Sequence, residues 1–339
     1  MVEQLRRTVR PEPSPVQPPA APKLFVFLLT HQFSMIAFAA ALEPLRIANR
    51  LARGRLYAWR LVAETAEPAR CSNGAAVSVD GPLDAAPRDA TVLVCGGLEV
   101  QKAASKPVLT WLRRQARLGS RMGALCTGAH VLARAGLLEG RRCTIHWENR
   151  AAFAEEFEDV EITNRVYEID GDRLTCAGGA AAADMMLALI GDEHGPDFAR
   201  LVADQMIVGS MRGAAEEQRL SAPARLGTRH PRLVTIIKRM EAHIEEPVSP
   251  SDLAEGAGMS TRQLERLFRR YLNKSPKRYY MELRLQRARG LLLQTDMSVI
   301  AVALASGFTS SAHFSKCYRD QFGRTPYHER GAAEPEERA

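Results

Sequence analysis

The sequence contains an internal repeat near its C-terminal end, and this repeat constrains the fold of that segment more than any other feature. Residues 252–276 align with residues 301–326, with one extra residue in the turn of the second copy. In each copy an alanine precedes a glycine by four residues, and a serine (Ser260 or Ser310) follows the turn. Glycine permits a tight turn that most side chains would obstruct, and serine is a favoured helix N-cap. The repeat therefore predicts two helix-turn-helix units.

The basic charge of the chain is concentrated in the same segment. Residues 229–330 contain 18 Lys and Arg against 10 Asp and Glu, whereas residues 1–228 contain 27 against 26. The net charge of the whole chain is +7. A basic segment that also carries helix-turn-helix units predicts binding to nucleic acid, because DNA phosphates attract Lys and Arg. On charge alone, a solvated basic surface is the alternative.

The repeat and its flanking sequence resemble the AraC/XylS family of bacterial transcription regulators over roughly residues 230–329. The resemblance covers both helix-turn-helix units, the connecting segment 277–295, and the closing stretch GFTSSAHFSKCYRDQFGRTPYHER at 307–330. It implies an all-α domain that binds promoter DNA, usually in an activator that also contacts RNA polymerase. The connecting segment has apolar residues at helical spacing, and it would hold two recognition helices about 34 Å apart, in successive major grooves.

The resemblance places the DNA contacts on the exposed face of the second helix in each unit. Arginine can bind guanine through two hydrogen bonds, and a glutamate can accept a hydrogen bond from cytosine. The opposite face carries large apolar side chains, which are expected in the core: Leu264, Phe268, Phe314 and Tyr318. The positions expected to contact DNA are Thr261, Arg262, Glu265 and Arg266 in the first unit and Ser311, Ala312, His313 and Lys316 in the second.

Residues 24–205 have a different pattern, in which short apolar strands alternate with helical segments. This alternation predicts a mostly parallel sheet covered by helices on both faces, and ligands of such sheets bind beyond the carboxyl ends of the strands. Gly96-Gly97, Cys126-Thr127 and the stretch 176–179 all fall at predicted strand ends. The predicted strands are 24–29, 59–64, 91–95, 122–126 and 173–179, and the predicted helices are 35–51, 107–118, 128–138 (closed by Gly140) and 180–191.

Composition sets the boundaries of these domains. The first residues are rich in Pro, Arg and Ala, and residues 211–231 are polar with no sustained periodicity, which is typical of a linker. The expected organisation is a disordered tail (1–22), an α/β domain (23–208), a linker (209–228), a helical DNA-binding domain (229–330) and a second tail (331–339).

The cysteines and the apolar segments indicate the cellular compartment. None of the six cysteines forms a C-x-x-C pair, so neither a zinc site nor a redox dithiol is indicated. No secretory signal is evident, and no apolar stretch approaches the roughly 18 residues of a membrane span. We therefore expect a cytoplasmic protein with reduced thiols and with no metal, cofactor or membrane partner.

The α/β segment resembles the class I glutamine amidotransferase-like superfamily, in the branch that contains the PfpI proteases. The stretches GALCTGAHVLARAGLLEGRRCTIHW at 123–147 and VLVCGG at 92–97 carry this resemblance. It implies a flavodoxin-like fold. Members that are fused to an AraC-type domain are regulators, and several respond to amino acids or to quaternary amines such as carnitine or betaine.

Cys126 is the candidate for a catalytic role. It stands between a predicted strand and a predicted helix, as nucleophiles do in α/β hydrolases, and His146 follows twenty residues later. The amides of Gly97 and Thr127 could form an oxyanion hole. However, the enzymatic branch places a carboxylate in the first helix, and the aligned residue here is Ala37. We therefore expect Cys126 and His146 to be remnants that line a ligand pocket, not catalytic residues.

The remaining pocket candidates are mostly aromatic. Phe33, Phe38 and Trp147 could form a wall that attracts a trimethylammonium group through cation–π interactions, although core packing explains each ring equally well. Asp184 is a further candidate, for which packing or helix capping is the alternative. The expected ligand-binding set is Phe33, Phe38, Gly97, Cys126, Thr127, His146 and Trp147.

Together these features predict a sequence-specific DNA-binding transcription regulator, not an enzyme. The N-terminal domain would bind a small nitrogenous metabolite and form a homodimer, and the C-terminal domain would bind promoter DNA and RNA polymerase. One alternative is a cysteine-dependent hydrolase of the PfpI type with an accessory DNA-binding domain. Another is a constitutive DNA-binding protein in which the N-terminal domain serves only to dimerise.

Overall fold

The computed structural model describes residues 19–84, 86–218 and 230–331, and these residues form two compact units. Unit 1 contains the chain up to His146 together with Asp159–Glu216, and unit 2 contains Trp147–Glu158 together with the chain from Glu217 onward. Most of the two predicted tails and the second half of the predicted linker lie outside the described residues.

A six-stranded sheet forms the centre of unit 1, with the strand order β2-β1-β5-β6-β10-β9. Neighbouring strands are parallel except β9 and β10, which are antiparallel. All residues of β5 are buried, as expected for a parallel strand that is covered on both faces. The strands are β1 (Lys23–Leu29), β2 (Tyr57–Val62), β5 (Thr91–Cys95), β6 (Arg121–Leu125), β9 (Tyr167–Asp170) and β10 (Arg173–Cys176), with short pairs β3 (Ala69–Arg70) with β4 (Ala76–Val77) and β7 (Arg142–Cys143) with β8 (Glu161–Ile162).

Two groups of helices cover this sheet. Helices α1, α6 and α7 contact one another, and α2, α3 and α4 form a second group, which gives the predicted flavodoxin-like arrangement. Ser34 caps α1, because its side chain accepts a hydrogen bond from the amide of Ala37. The helices of unit 1 are α1 (Met35–Leu51), α2 (Val100–Ala103), α3 (Lys106–Arg117), α4 (Gly128–Arg134), α6 (Ala181–His194) and α7 (Pro196–Gln205).

Helix α4 is shorter than the sequence pattern predicts. The pattern extended it to residue 138, with Gly140 as its terminator, whereas the structure ends it at Arg134. Gly136 has φ +71°, and the amide of Leu137 donates to the carbonyl of Leu132. A glycine in the left-handed region, followed by an amide that donates five residues back, is the Schellman motif that ends helices. Gly136 therefore ends the helix, not Gly140.

The predicted linker begins later than the sequence indicates. Residues 211–216, which the polar composition assigned to the linker, belong to unit 1. Arg212 binds Asp184 of α6, and the carbonyl of Glu216 accepts a hydrogen bond from the amide of Val166 at 2.9 Å. Asp184, expected as a possible ligand contact, therefore holds this segment against the domain.

Unit 2 is helical and contains the predicted repeat. Helices α9 and α10 form the first helix-turn-helix unit, α12 and α13 form the second, and α11 connects them. No helix in the described parts of the chain is long and apolar enough to cross a lipid bilayer. The helices are α5 (Arg150–Glu156), α8 (Pro231–Ala242), α9 (Pro250–Gly256), α10 (Thr261–Leu272), α11 (Pro276–Gln294), α12 (Val299–Ala305), α13 (Ser311–Phe322) and α14 (Pro326–Gly331).

The turns of the two helix-turn-helix units have the predicted geometry. Gly258 and Gly307 have φ +62° and +75°, a region that favours glycine. A Cβ atom on Gly307 would lie 2.3 Å from the carbonyl oxygen of Ile244, so no side chain fits there. Ser260 and Ser310 cap α10 and α13, and Ser260 forms a capping box with Gln263.

Helix α5 was not predicted, and it belongs to unit 2 although its sequence lies inside the α/β segment. Ala152 is buried in the same apolar cluster as Leu285 and Ala288 of α11. Beside it, Nη2 of Arg287 lies 2.6 Å from Oε1 of Glu155, in a pair that is mostly shielded from solvent. Residues 147–158 therefore form part of the helical unit.

Candidate functional site

Cys126 occupies a sharp turn between β6 and α4. Its φ is +60°, which places a non-glycine residue in the left-handed region. Its amide donates to the carbonyl of Cys176 at 3.1 Å, and its own carbonyl accepts a hydrogen bond from the amide of His146 at 3.3 Å. A strained residue at the end of a central strand is the geometry of a nucleophile elbow, so the predicted elbow is present.

Glycines allow three strand ends to meet at this elbow. A Cβ atom on Gly97, after β5, would lie 1.9 Å from the carbonyl oxygen of Gln32. A Cβ atom on Gly128 would lie 2.2 Å from the carbonyl oxygen of Val94, and one on Gly178 would lie 2.6 Å from Cβ of Cys126. Because no L side chain can occupy these positions without moving the backbone, the glycines fix the close approach of the strand ends.

Several predicted pocket residues are brought together here. The hydroxyl of Thr127 donates to the carbonyl of Gly97 at 2.7 Å, and Phe33 forms a backbone bridge with Gly97. With the backbone hydrogen bond from His146 to Cys126, this makes one connected group at the carboxyl end of the sheet. Helix α4 has seven residues, so its dipole contributes little to the group.

The predicted aromatic residues are arranged differently. The rings of Phe33 and Phe38 are buried in the core and pack edge to face, with their centroids 5.7 Å apart. Phe38 also packs against Phe27. Trp147 is exposed and belongs to unit 2. The three rings therefore do not form one wall within either unit, and core packing describes the two phenylalanines.

The thiols near the elbow differ in their surroundings. Cys95 and Cys176 are buried, and burial raises the pKa of the Cys176 thiol to about 12. Burial, with a smaller contribution from Glu168, also raises the pKa of Cys143 to about 12. These thiols stay protonated at neutral pH and cannot act as nucleophiles. Cys126, in contrast, is partly exposed.

The first helix offers no carboxylate of the kind that supports a catalytic cysteine. Ala37, at the aligned position, is 1% exposed. The acidic residue of this helix is Glu43, which lies six residues after Ala37 and pairs at the surface with Arg46 at 2.6 Å.

The second candidate site is the exposed face of α10 and α13. Leu264, Phe268, Phe314 and Tyr318 are at most 1% exposed, as the repeat predicted, and they anchor both helices in the apolar core. The opposite faces are open to solvent. All eight predicted DNA-contacting residues are exposed: Thr261, Arg262, Glu265, Arg266, Ser311, Ala312, His313 and Lys316.

Two residues of the second helix-turn-helix unit and its surroundings, Arg284 and Cys317, were not selected from the sequence. Nε of Arg284, on α11, donates to the carbonyl of Ser306 at 2.9 Å, and its guanidinium lies 4.1 Å from the ring centroid of Phe308. Arg284 therefore holds the turn that begins the recognition helix. Cys317 lies 3.3 Å from Nε2 of His313, and the four-residue spacing of the two on a predicted helix was the available signal.

Both domains match known families. Residues 25–192 match the DJ-1/PfpI family, and residues 253–332 match a helix-turn-helix domain. An α/β domain of this type joined to paired helix-turn-helix units defines the class of DNA-binding transcription regulators.

Comparison with individual proteins identifies the family. The chain is 45% identical over 309 residues to the HTH-type transcriptional regulator GbdR of Pseudomonas aeruginosa, covering 91% of this chain and 84% of that protein. It is 43% identical over 306 residues to the regulator CdhR of the same species, covering 90% and 91%. The crystal structure of an AraC family transcriptional regulator from Pseudomonas putida matches with a TM-score of 0.51 and 30% identity, covering 55% of this chain and all of that one. The chain belongs to this family of HTH-type transcriptional regulators.

Proposed function

We propose that this regulator responds to a small nitrogenous metabolite bound at the elbow of unit 1. The metabolite is an amino acid or a quaternary amine of the carnitine or betaine kind. The observation that carries the proposal is the connected group at the strand ends, in which Gly97, Cys126, Thr127 and His146 are linked by hydrogen bonds. Ligands of parallel α/β sheets bind at this edge.

The elbow binds its ligand without reacting with it. The position that would supply a supporting carboxylate is Ala37, and Glu43 is engaged with Arg46 at the surface. A thiolate nucleophile needs a base or a nearby cation to lower its pKa. The hydrolase alternative therefore lacks a residue on which its chemistry depends, and the relatives named above are transcriptional regulators.

The ligand contacts that we assign are of two kinds. Gly97, Cys126, Thr127 and His146 surround the polar end of the ligand: Gly97 and Thr127 supply backbone amides, and Cys126 and His146 supply their side chains. Phe33 and Phe38 shape the apolar floor below it from within the core.

The DNA site is read by α10 and α13. Arg262, Glu265 and Arg266 contact base edges in one major groove, and Ser311, Ala312, His313 and Lys316 contact those in the next. Helix α11 has 19 residues, which corresponds to about 28 Å of helix, so it separates the two helix-turn-helix units along the DNA. One chain thus reads an asymmetric promoter site, and the protein does so in the cytoplasm. A homodimer formed through unit 1 would bind two such sites. The DNA-bound regulator would also contact RNA polymerase.

Regulation requires that the metabolite bind the transcriptionally active arrangement more tightly than the inactive one. The test begins with selection of duplexes from a random library by the purified protein. Thermal-shift measurements then screen amino acids, betaine and carnitine, and transcription from the selected site is measured with each compound that binds. We expect one class of compound to raise the unfolding temperature and to change transcription. If no compound does either, the N-terminal domain only dimerises.

A variant at the elbow separates the regulator from the hydrolase. Cys126→Ala should retain the transcriptional response to the metabolite, because the backbone groups of the elbow remain. A turnover of the metabolite by wild-type protein that disappears in Cys126→Ala would favour the hydrolase.

A further inference from the structure

Beside the first recognition helix there is a cavity of about 190 Å³, and Arg266 is the one predicted DNA-contacting residue in its lining. It lies between the start of α8 and one side of α10, within unit 2. Arg232 and His230 come from α8 and its N-cap, and Gln263, Arg266, Arg270 and Tyr271 come from α10. The cavity lining contains no acidic side chain.

The three arginines of this cavity are not used for ion pairs within the protein. No ion pair among the described residues includes Arg232, Arg266 or Arg270, and all three are exposed. Other arginines of unit 2 are neutralised: Arg287 pairs with Glu155 at 2.6 Å, and Arg289 pairs with Glu329 at 3.1 Å. Three unneutralised guanidinium groups around one cavity repel one another, so an anion between them is stabilised.

Gln263 presents a hydrogen-bond donor in this lining, beside the arginines. The side-chain oxygen of Gln263 accepts a hydrogen bond from the amide of Ser260 at 2.8 Å, which leaves its –NH2 group as the outer end. The ring Nδ1 of His230 accepts a hydrogen bond from the amide of Leu233. The ring of Tyr271 contacts both the ring of His230 and the guanidinium of Arg270. The cavity therefore presents hydrogen-bond donors to an acceptor-rich group.

Helix geometry places this cavity next to the base-reading residues. Gln263, Arg266 and Arg270 recur at spacings of three and four residues and share one side of α10, and Arg262 and Glu265 share the adjacent side. An α-helix is about 10–12 Å in diameter and the major groove is about 12 Å wide. When the adjacent side faces the bases, the flank with the cavity must meet a phosphate wall of the groove.

We propose that this cavity binds one phosphodiester group of the DNA backbone, with Arg232 and Arg270 as its principal contacts. The proposal rests on the DNA-binding function of the chain and adds a contact that fixes how α10 enters the groove. Phosphate contacts of this kind set register and orientation without reading sequence. Arg266 lies on the border between the cavity and the base-reading side, so it can serve either.

The test uses the full-length protein and two duplexes of equal length, one selected by the wild type from a random library and one unrelated. Binding is measured across a range of salt concentrations for Arg232→Gln, Arg270→Gln and the double variant. Lys238→Gln is the matched control, because it removes one positive charge from the exposed surface of α8 outside the cavity. Thermal unfolding midpoints verify that every variant is folded.

The double variant should lose about tenfold or more in affinity, by the same factor on both duplexes. The slope of log K against log[salt] should become shallower by about 0.9, the contribution of one phosphate. Lys238→Gln should change neither quantity comparably. An unchanged slope, a loss confined to the selected duplex, or an equal effect of Lys238→Gln would overturn the proposal.

A free phosphorylated compound is the other source of the same chemistry. If inorganic phosphate stabilises the wild type but not the double variant, while DNA binding by the double variant is unchanged, the cavity belongs to a small ligand and the proposal fails. Failure of the proposed function has a different signature, because the wild type would then enrich no sequence from the library, and the unrelated duplex would still test the cavity.

Discussion

Arg212 holds the buried carboxylate of Asp184 from two directions. Its backbone amide donates to Oδ1 at 2.9 Å, and its Nε donates to Oδ2 at 2.8 Å. The side chain of Asp184 is 5% exposed, and that of Arg212 is 34% exposed. The pair joins the first turn of α6, directly after the strand end at Cys176, to the segment from which the chain leaves unit 1. The pair therefore anchors residues 211–216, the exit segment, to the rest of unit 1.

Removal of the arginine side chain should weaken this anchor measurably. Arg212→Ala leaves the Asp184 carboxylate with one backbone donor in a buried position, and we expect a loss of about 2 kcal/mol in the free energy of unfolding of unit 1. The control is Arg200→Ala, which breaks an exposed pair with Asp197 and should cost well under about 1 kcal/mol. Urea denaturation of the two variants gives both values, and equal losses would show that the Asp184 pair is not an anchor.

The place of the exit segment in unit 1 could not be predicted from the sequence, whereas some strands and helices could. The strand 91–95 and the helix 35–51 have the bounds that periodicity predicts, because burial on a sheet or along one helical face leaves a local pattern. Residues 211–216 have no such pattern. Their place in unit 1 depends on Asp184, 28 residues before Arg212, and on a backbone hydrogen bond to Val166. Contacts of this range leave no periodic signal.

Glycine at position 97 should be required for the elbow. A Cβ atom there would meet the backbone of Gln32 and Phe33, which cannot move as a side chain could. We expect Gly97→Ala to cost about 3 kcal/mol in the free energy of unfolding and to abolish the thermal shift caused by the effector. Gly81→Ala is the matched control, because a Cβ atom added at Gly81 would have no neighbouring atom within 4 Å, and its effect should stay within about 0.5 kcal/mol.

The left-handed backbone of Cys126 gives a second test of the elbow. At φ +60° an alanine is strained and a glycine is not, so Cys126→Gly should be more stable than Cys126→Ala by about 1 kcal/mol. Both variants lack the thiol, and their difference is the relief of backbone strain less the extra conformational entropy that glycine loses on folding. A more stable alanine variant would mean that the chain relaxes out of the left-handed region. Differential scanning calorimetry of the pair measures the difference.

The candidate sites differ in how much of them could be predicted. The helix-turn-helix surface follows from a repeat whose caps, turns and core positions are all local, and Ser260, Gly258 and Leu264 take their expected places. The pocket depends on which way each ring points in a folded core. Phe33 and Phe38 have the composition of an aromatic wall, but the surrounding apolar side chains enclose them. Sequence supplies residue types at such a site, and packing decides their orientation.

The two recognition helices should contribute independently to DNA affinity. Arg262 and Lys316 lie on α10 and α13, in separate helix-turn-helix units with separate apolar cores. Each alanine substitution should cost about 1–3 kcal/mol on the selected duplex and much less on an unrelated one, because base contacts are lost. In the double variant the losses should add within about 0.5 kcal/mol, since distant sites do not share partners. Strong non-additivity in titrations of the double variant would mean that one helix-turn-helix unit binds DNA only after the other has bound.

Thiol labelling can locate the bound effector whatever its chemical identity. In native protein at about pH 8, iodoacetamide should label the partly exposed Cys126 and Cys317 well before Cys95, Cys143 and Cys176, since buried thiols with raised pKa hold almost no thiolate. Labelling of Cys143 and Cys176 should increase only as the pH rises toward their pKa of about 12.

Addition of a compound that raises the unfolding temperature should slow the labelling of Cys126 and leave that of Cys317 unchanged. Cys317 serves as an internal control, because it lies in unit 2 on the second recognition helix. Selected DNA should produce the opposite pattern, since Cys317 lies beside His313 on the helix that we propose enters the groove. Peptide mass spectrometry resolves the two sites. Equal protection of both thiols by the effector would indicate a global tightening of the protein and would place the effector away from the elbow.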